Sequence, residues 1–150
     1  MRGDARRTML GRMNSAAAAP PHLIPVPPGI RIARLSTREL GRLGEDLAAD
    51  HLARAGWQVI DRNVRVGRGE LDIIALEGAT LVFAEVKTRR TLLTGVPQAA
   101  VTPEKVRRLR RLAGEYLLHS APPHRDLRID VLAVFAAPDV CSLEHLRAVA

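Results

Sequence analysis

Residues 67–90 read GRGELDIIALEGATLVFAEVKTRR, and this stretch decides the fold. Two apolar, β-rich runs flank the tetrapeptide EGAT, a pattern that is typical of a β-hairpin. The simplest register pairs Glu77 with Thr80 and steps outward one residue at a time on each strand, which places Leu71 and Ile73 on the same face. Both faces are apolar near the turn, so the sequence predicts an interior hairpin that is covered on both sides.

The far end of this hairpin is charged on one face. The same register places Asp72 opposite Glu85, and Glu70 opposite Lys87. Two carboxylates directly opposite each other on a sheet repel, and a hard divalent cation such as Mg²⁺ would compensate. Lys87 is predicted to point into the same space, where an ammonium could stabilise charge in a phosphoryl-transfer transition state. The pattern therefore indicates a divalent-cation site at this end.

A structural interpretation of the same charges stays open. Glu70 could pair with Lys87, and Asp72 with an arginine, at the exposed end of a hairpin. Of the 23 basic residues, however, only Lys87 and Lys105 are lysines. A guanidinium would serve a simple salt bridge, so a lysine in this cluster favours a role for a compact ammonium.

Helices are predicted before and after the hairpin. The first begins at Ser36 with the capping-box sequence STRE and ends at Gly56. The second is capped by Thr102 and carries an apolar stripe opposite a face of arginines. Further strands are predicted over 57–60 and 127–135, with a last one near the C-terminus. The order helix, three strands, helix, two strands predicts an α/β domain, with a mixed central sheet of about five strands flanked by helices.

The net charge of +7 is concentrated at the N-terminus. Residues 1–36 hold six arginines, one aspartate and five prolines, without a sustained period, and are predicted to be a disordered basic arm. Residues 37–150 are predicted to form one domain. No apolar run approaches the roughly 18 residues of a membrane span, and the single Cys141 cannot form an internal disulfide, so a cytoplasmic location is expected.

Basic residues of the domain cluster in three places along the chain. Such runs form a solvated face about as readily as a nucleic-acid surface. The residues predicted to contact nucleic acid are Arg68, Arg89, Arg90, Lys105, Arg107, Arg108 and Arg111.

The hairpin end also resembles a known nuclease motif. Asp72 followed by Glu85-Val86-Lys87 is similar to the PD-(D/E)xK core, with Leu71 in the place of the motif's proline. More widely, residues 41–90, VTPEKVRRLRRLAGEYL and RIDVLAV resemble the YraN-type family of uncharacterised, predicted endonucleases. The match runs from about Gly41 to the C-terminus and omits the arm.

This resemblance implies a restriction-endonuclease-like fold akin to Holliday-junction resolvases, and hydrolysis of DNA phosphodiester bonds, including those of branched DNA. By position, Asp72 and Glu85 would be ligands of Mg²⁺ or Mn²⁺, Lys87 the catalytic lysine and Glu45 an additional acidic catalytic group. Glu70 also fits the family pattern. From the sequence alone, Glu45 could reach the hairpin end or point into water.

Two other functional classes stay open. One is a non-catalytic nucleic-acid-binding module on a nuclease scaffold, and the other is an interaction protein whose carboxylates are structural. Metal binding separates the last class from the first two, and turnover separates the nuclease from the binding module. Nucleic acid, DNA in particular, is the expected partner rather than a membrane, and a homodimer stays open.

Overall fold

The computed structural model describes residues 20–90 and 97–149. One six-stranded sheet lies between two α-helices, in the strand order β1-β6-β5-β4-β3-β2. Strands β4 and β5 are parallel, and the other neighbouring pairs are antiparallel. The elements are β1 (His22–Pro25), α1 (Thr37–Arg54), β2 (Gln58–Val66), β3 (Gly69–Glu77), β4 (Thr80–Arg89), α2 (Pro103–His119), β5 (Asp126–Ala136) and β6 (Val140–Leu146). The predicted mixed α/β class is confirmed, and the arrangement is consistent with a nuclease-like fold.

The helix boundaries follow from local capping. Ser36 Oγ accepts a hydrogen bond from the backbone N–H of Glu39 at 3.2 Å, and the Glu39 carboxylate accepts from the Ser36 N–H at 2.7 Å. Gly56, with φ of 88°, follows the end of α1. Thr102 caps α2 by accepting from the Lys105 N–H at 3.3 Å. Both predicted helix starts are therefore confirmed.

Each helix covers one face of the sheet with its apolar stripe. On one face, α1 contributes Leu40, Leu43, Leu47 and Leu52 to a core that includes Ile73. On the other face, the core contains the α2 residues Leu109, Leu112, Ala113 and Tyr116. The hairpin of β3 and β4 is thus buried from both sides, as the apolar runs predicted.

The hairpin register is confirmed as far as Ile73 opposite Ala84, where the ladder between β3 and β4 ends. The predicted pairs of Asp72 with Glu85 and of Glu70 with Lys87 lie beyond that point, so that part of the prediction is wrong. A continued ladder would pair Val86 with β3. Instead, the Val86 N–H donates to Asp72 Oδ2 at 2.9 Å, and the strands separate there.

The alternation of side chains along β3 also breaks at Asp72. Ile73 packs in the core under α1, whereas Leu71 packs in the core under α2, next to Ile74 and Phe83. The prediction that Leu71 and Ile73 share a face is therefore wrong. A regular strand alternates with a period of two, so the break coincides with the point at which β3 leaves β4.

The predicted arm is too long at its C-terminal end. Strand β1 pairs with β6, and the side chain of Ile32 is only 4% exposed in the core under α1. Proline content suggested disorder here, but β1 is an edge strand, where a missing N–H is tolerated. Segment 20–36 is thus part of the domain, and β1 raises the strand count from about five to six. Residues 1–19 lie outside the described residues.

Within the described ranges, no helix is long and apolar enough to cross a membrane.

Candidate active site

The charged end of the hairpin lies where β3 and β4 separate, and α1 passes close to it. A Cβ atom at Gly44 would overlap the side chain of Thr88, so the helix backbone packs directly on β4 at this glycine. Close approach of this kind requires the absence of a side chain. The next residue, Glu45, lies within hydrogen-bonding distance of Asn63 and close enough to Asp72 to influence its pKa, so it reaches the hairpin end.

Asp72 is the most perturbed carboxyl group of this cluster. Burial raises its pKa from 3.8 to about 6, and the negative charges of Glu45, Glu85 and Glu70 act in the same direction. The hydrogen bond from the Val86 N–H opposes them but does not outweigh them. Four carboxylates therefore influence one another here, and ionising all of them is costly.

Asn63 links two of these carboxylates, and the sequence analysis missed it. With its amide nitrogen facing them, Asn63 donates to Glu45 Oε2 at 2.9 Å and to Glu70 Oε1 at 3.1 Å; this orientation is assigned from the hydrogen-bond network. Its φ of 51° is left-handed, a conformation that asparagine tolerates better than most residues. Burial, followed by the charge of Glu70, raises the pKa of Glu45. An asparagine amid a strand of charged and β-branched residues was the available signal.

Glu85 is held from the opposite face of the sheet. Arg108 of α2 donates through Nη2 to Glu85 Oε1 at 2.6 Å, with side chains that are 38% and 23% exposed, respectively. Because Leu109 and Leu112 bury the neighbouring face of α2, the Arg108 side chain lies on the flank that faces β4. The structure therefore places this predicted nucleic-acid contact in an ion pair with a predicted metal ligand.

Lys87 is exposed and forms no ion pair within residues 20–90 and 97–149. The structural interpretation had paired it with Glu70, and Asp72 with an arginine. Neither ion pair occurs in the described part of the chain, so that interpretation loses its specific contacts. Lys87 instead follows Glu85 by two residues at the open end of β4, with its ammonium available to a ligand.

The donor chemistry of these carboxylates is that of a hard divalent cation. No group of three or more Asp, Glu, His or Cys side chains converges on one point in the described ranges. Asp72 and Glu85 each use one oxygen in the bonds above and leave the other. Mg²⁺ commonly takes one or two protein carboxylates and keeps several waters, so this sparse hard-oxygen donor set suits Mg²⁺ or Mn²⁺.

The other predicted nucleic-acid residues are spread around the site. Arg90 donates to the carbonyl of Leu35, which ties the end of β4 to the start of α1. Arg89 and Lys105 are partly exposed. The exposed residues of this set are Arg68, Arg90, Arg107 and Arg111. Arg68, Arg107 and Arg111 are thus accessible to solvent, and the role of all these cations stays a prediction.

A second buried polar cluster, centred on Asp130 of β5, was not anticipated. Asp130 is fully buried; it accepts two hydrogen bonds from Arg128 at 2.8 and 2.9 Å, one from the Ala148 N–H at 2.9 Å, and contacts His145 Nε2 at 2.8 Å. Burial opposes ionisation, but these partners outweigh it and lower the pKa of Asp130 to about 2. Arg128 also lies over the Trp57 ring. The cluster is fully paired and fastens the C-terminal segment to β5.

Comparison with known proteins confirms the family resemblance. A family model described as "Uncharacterised protein family UPF0102" matches residues 44–134, which include the four carboxylates, Lys87 and Arg108. A UPF0102 protein of Geobacter sulfurreducens is 48% identical over 108 residues, covering 71% of this chain and 84% of that protein. One from Rhodococcus opacus is 54% identical over 110 residues, 72% of this chain and 92% of its own length. One from Streptomyces griseus is 55% identical over 96 residues, which cover 63% of this chain and 81% of that protein.

Proposed function

This chain belongs to the uncharacterised family UPF0102, and from the chemistry of its site we propose that it is a Mg²⁺- or Mn²⁺-dependent endonuclease that hydrolyses DNA phosphodiester bonds. The observation that carries the proposal is the Asp72 carboxyl group. Its pKa is raised to about 6 by burial and by three neighbouring carboxylates, at a point where two strands separate. A carboxyl pKa that is strongly shifted by burial and by neighbouring charges is typical of functional sites.

In this proposal Asp72 and Glu85 hold the metal. Bound there, Mg²⁺ or Mn²⁺ would supply positive charge against the carboxylates and Lewis acidity towards a phosphate oxygen and the attacking water. The donors come from adjacent strands, so the β-sheet positions them independently of the surface loops.

The remaining residues have separate tasks. The Lys87 ammonium, free of ion pairs in the described ranges, holds the phosphate oxygen on which negative charge develops. Glu45, whose pKa is raised, accepts a proton from the attacking water. Asn63 is a positioning residue because its amide fixes Glu45 relative to Glu70.

Nucleic acid is the substrate class that the surface charge favours. Exposed arginines occur on the turn between β2 and β3 and on the outer face of α2, on elements that adjoin the site. Such side chains neutralise phosphates without reading sequence. Preference for branched DNA is the finer part of the proposal and rests on the resemblance to junction-cleaving nucleases.

A second candidate is a nucleic-acid-binding module without turnover. Two observations favour it: Glu85 is already neutralised by Arg108, and no three potential ligands converge in the part of the chain that the structure describes. In that case the carboxylates would only shape the surface, and the metal would be dispensable.

One experiment separates the two candidates. Purified protein is incubated with linear, nicked, flapped and four-way DNA in Mg²⁺, Mn²⁺ or EDTA, and products are resolved on gels. We expect cleavage with either metal, none in EDTA, and none from Asp72→Asn. Asp50→Asn, which removes an exposed carboxylate paired with Arg54 on the same domain, should cleave normally. Binding without cleavage under every condition would support the second candidate and contradict the first.

A further inference from the structure

We propose that Arg108 is a phosphate-binding residue, and that its ion pair with Glu85 keeps it from contacting nucleic acid until a metal binds. In the metal-free protein the guanidinium is occupied by the Glu85 carboxylate. When a metal neutralises Glu85, the guanidinium passes to a backbone phosphate of the bound nucleic acid. The inference rests on the proposed function and adds an exchange that couples metal occupancy to substrate binding.

The contact is suited to exchange because it uses little of the guanidinium. The hydrogen bond joins Arg108 Nη2 to Glu85 Oε1 at 2.6 Å, and it uses one of the five N–H donors that arginine carries in a rigid fork. The side chain is 38% exposed, so its other donors are accessible from the surface. An arginine fork matches a phosphate with two parallel hydrogen bonds, which a single-point contact with glutamate does not provide.

The backbone of Arg108 stays in place during such an exchange. Leu109 and Leu112, which follow it by one and by four residues in the helix, are each 2% exposed in the core under α2. A Cβ atom at Gly69 would lie 2.7 Å from the Leu112 side chain, so α2 packs tightly on β3. Only the long side chain needs to move, and it can reach outward from the flank of the helix.

The charge balance gives the exchange its direction. Asp72, Glu45, Glu70 and Glu85 form the acidic cluster, and in the described ranges Arg108 makes the only ion pair with any of them. A divalent cation held by Asp72 and Glu85 would bring two positive charges to this cluster, including to the carboxylate that pairs with Arg108. It removes the attraction that retains Arg108 and repels the guanidinium towards the nearest anion. With nucleic acid bound, that anion is a phosphate.

Arg111 provides a matched control on the same helix. It lies three residues after Arg108, is exposed, and has no ion pair within the described residues. Arg111→Gln therefore removes the same charge from a guanidinium that no carboxylate holds.

The test is a double-mutant cycle measured without metal. Binding of an oligonucleotide duplex is titrated against salt in EDTA for wild type, Glu85→Gln, Arg108→Gln and the double variant. In the wild-type background, Arg108→Gln should leave the salt slope unchanged, because the guanidinium is occupied. In the Glu85→Gln background it should lower the slope by about one unit and weaken binding severalfold, because the released arginine contacts a phosphate. Arg111→Gln should change the slope equally in both backgrounds.

Several outcomes would overturn the proposal. A loss of about one unit from Arg108→Gln in the wild-type background would mean that Glu85 does not hold the arginine. If Arg108→Gln leaves the salt slope unchanged in both backgrounds, Arg108 does not contact a phosphate. Arg108→Lys in the Glu85→Gln background keeps the positive charge and should keep the salt slope. If lysine lowers the slope as much as glutamine does, the effect comes from damage to the helix, and the proposal is overturned. Since EDTA excludes cleavage, failure here with normal metal-dependent cleavage refutes the exchange alone, whereas absence of cleavage in the gel assay refutes the nuclease.

Discussion

Replacing Asp72 by asparagine should stabilise the metal-free protein at neutral pH. The substitution removes a buried negative charge from among three other carboxylates and keeps nearly the same shape. The asparagine oxygen can still accept the hydrogen bond that Asp72 Oδ2 receives from the Val86 N–H. The Asp72 carboxylate, which is proposed to hold a metal, is therefore expected to lower the free energy of unfolding when no metal is bound.

The magnitude follows from the pKa. In the folded protein the pKa of Asp72 is raised from 3.8 to about 6, a difference of about 2 units, and each unit corresponds to 1.36 kcal/mol. The folded state binds this proton more tightly than the unfolded chain, so stability is lost as pH rises from about 4 to about 6. Above that range the full penalty of about 3 kcal/mol applies, reduced somewhat because the carboxyl group is partly solvated.

Urea unfolding in EDTA tests this reasoning directly. At about pH 8, the free energy of unfolding of Asp72→Asn should be higher than that of the wild type by about 2 to 3 kcal/mol. At about pH 4, the difference between the two proteins should approach zero. Asp50→Asn, an exposed control paired with Arg54, should stay within about 0.5 kcal/mol of wild type at both values. Mn²⁺ should reverse the order at about pH 8 by stabilising only the wild type. A less stable asparagine variant in EDTA, or a difference that does not change with pH, would refute the argument.

Four further predictions concern other parts of the molecule. Lys87→Ala and Lys87→Arg should both bind Mn²⁺ and DNA nearly as well as wild type but lose cleavage; full activity in the arginine variant would reduce Lys87 to a general cation. Asp130→Asn should lower the free energy of unfolding by about 2 kcal/mol at neutral pH; because the pKa of Asp130 is depressed to about 2, the wild type should lose this advantage as pH falls from about 4 towards 2, as urea unfolding at several pH values would show. Gly44→Ala should cost about 1 to 3 kcal/mol in the same assay by forcing α1 away from the threonine on β4, whereas Gly41→Ala, with open space around it, should not destabilise. Deleting residues 1–19, which hold four arginines, should weaken DNA binding equally for linear and branched substrates; a branched-to-linear affinity ratio that falls to one would place recognition in that segment.

Several local features could be predicted from the sequence because the residues that determine them are neighbours in the chain. The register from Glu77–Thr80 to Ile73–Ala84 follows from a short turn between two apolar runs. The starts of α1 and α2 follow from caps at Ser36 and Thr102, whose side chains bond to backbone three residues away. The charged residues beyond Ile73 predicted which hairpin end carries the candidate site, and the family resemblance is confirmed.

The length of β2 and the presence of β1 depended on the sheet. The predicted strand over 57–60 extends in the structure to Val66, because pairing with β3 supports its alternating charged residues. Strand β1, which its prolines argued against, exists because β6 offers it an open edge. Neither effect is visible in local propensity, since a strand is stabilised mainly by its partner.

The geometry of the candidate site was decided only by tertiary structure. Idealised pairing would set Asp72 opposite Glu85, but the Asp72 side chain captures the Val86 N–H and separates the strands. The contact of Arg108 with Glu85 joins residues 23 positions apart on different elements, and Gly44 brings Glu45 to the cluster by packing on β4. The order of residues along β3 and β4 was enough to predict which carboxylates and which lysine lie at one end of the hairpin. Their partners and pKa values depended on burial and on charges from distant segments, because those quantities exist only once both helices pack against the sheet.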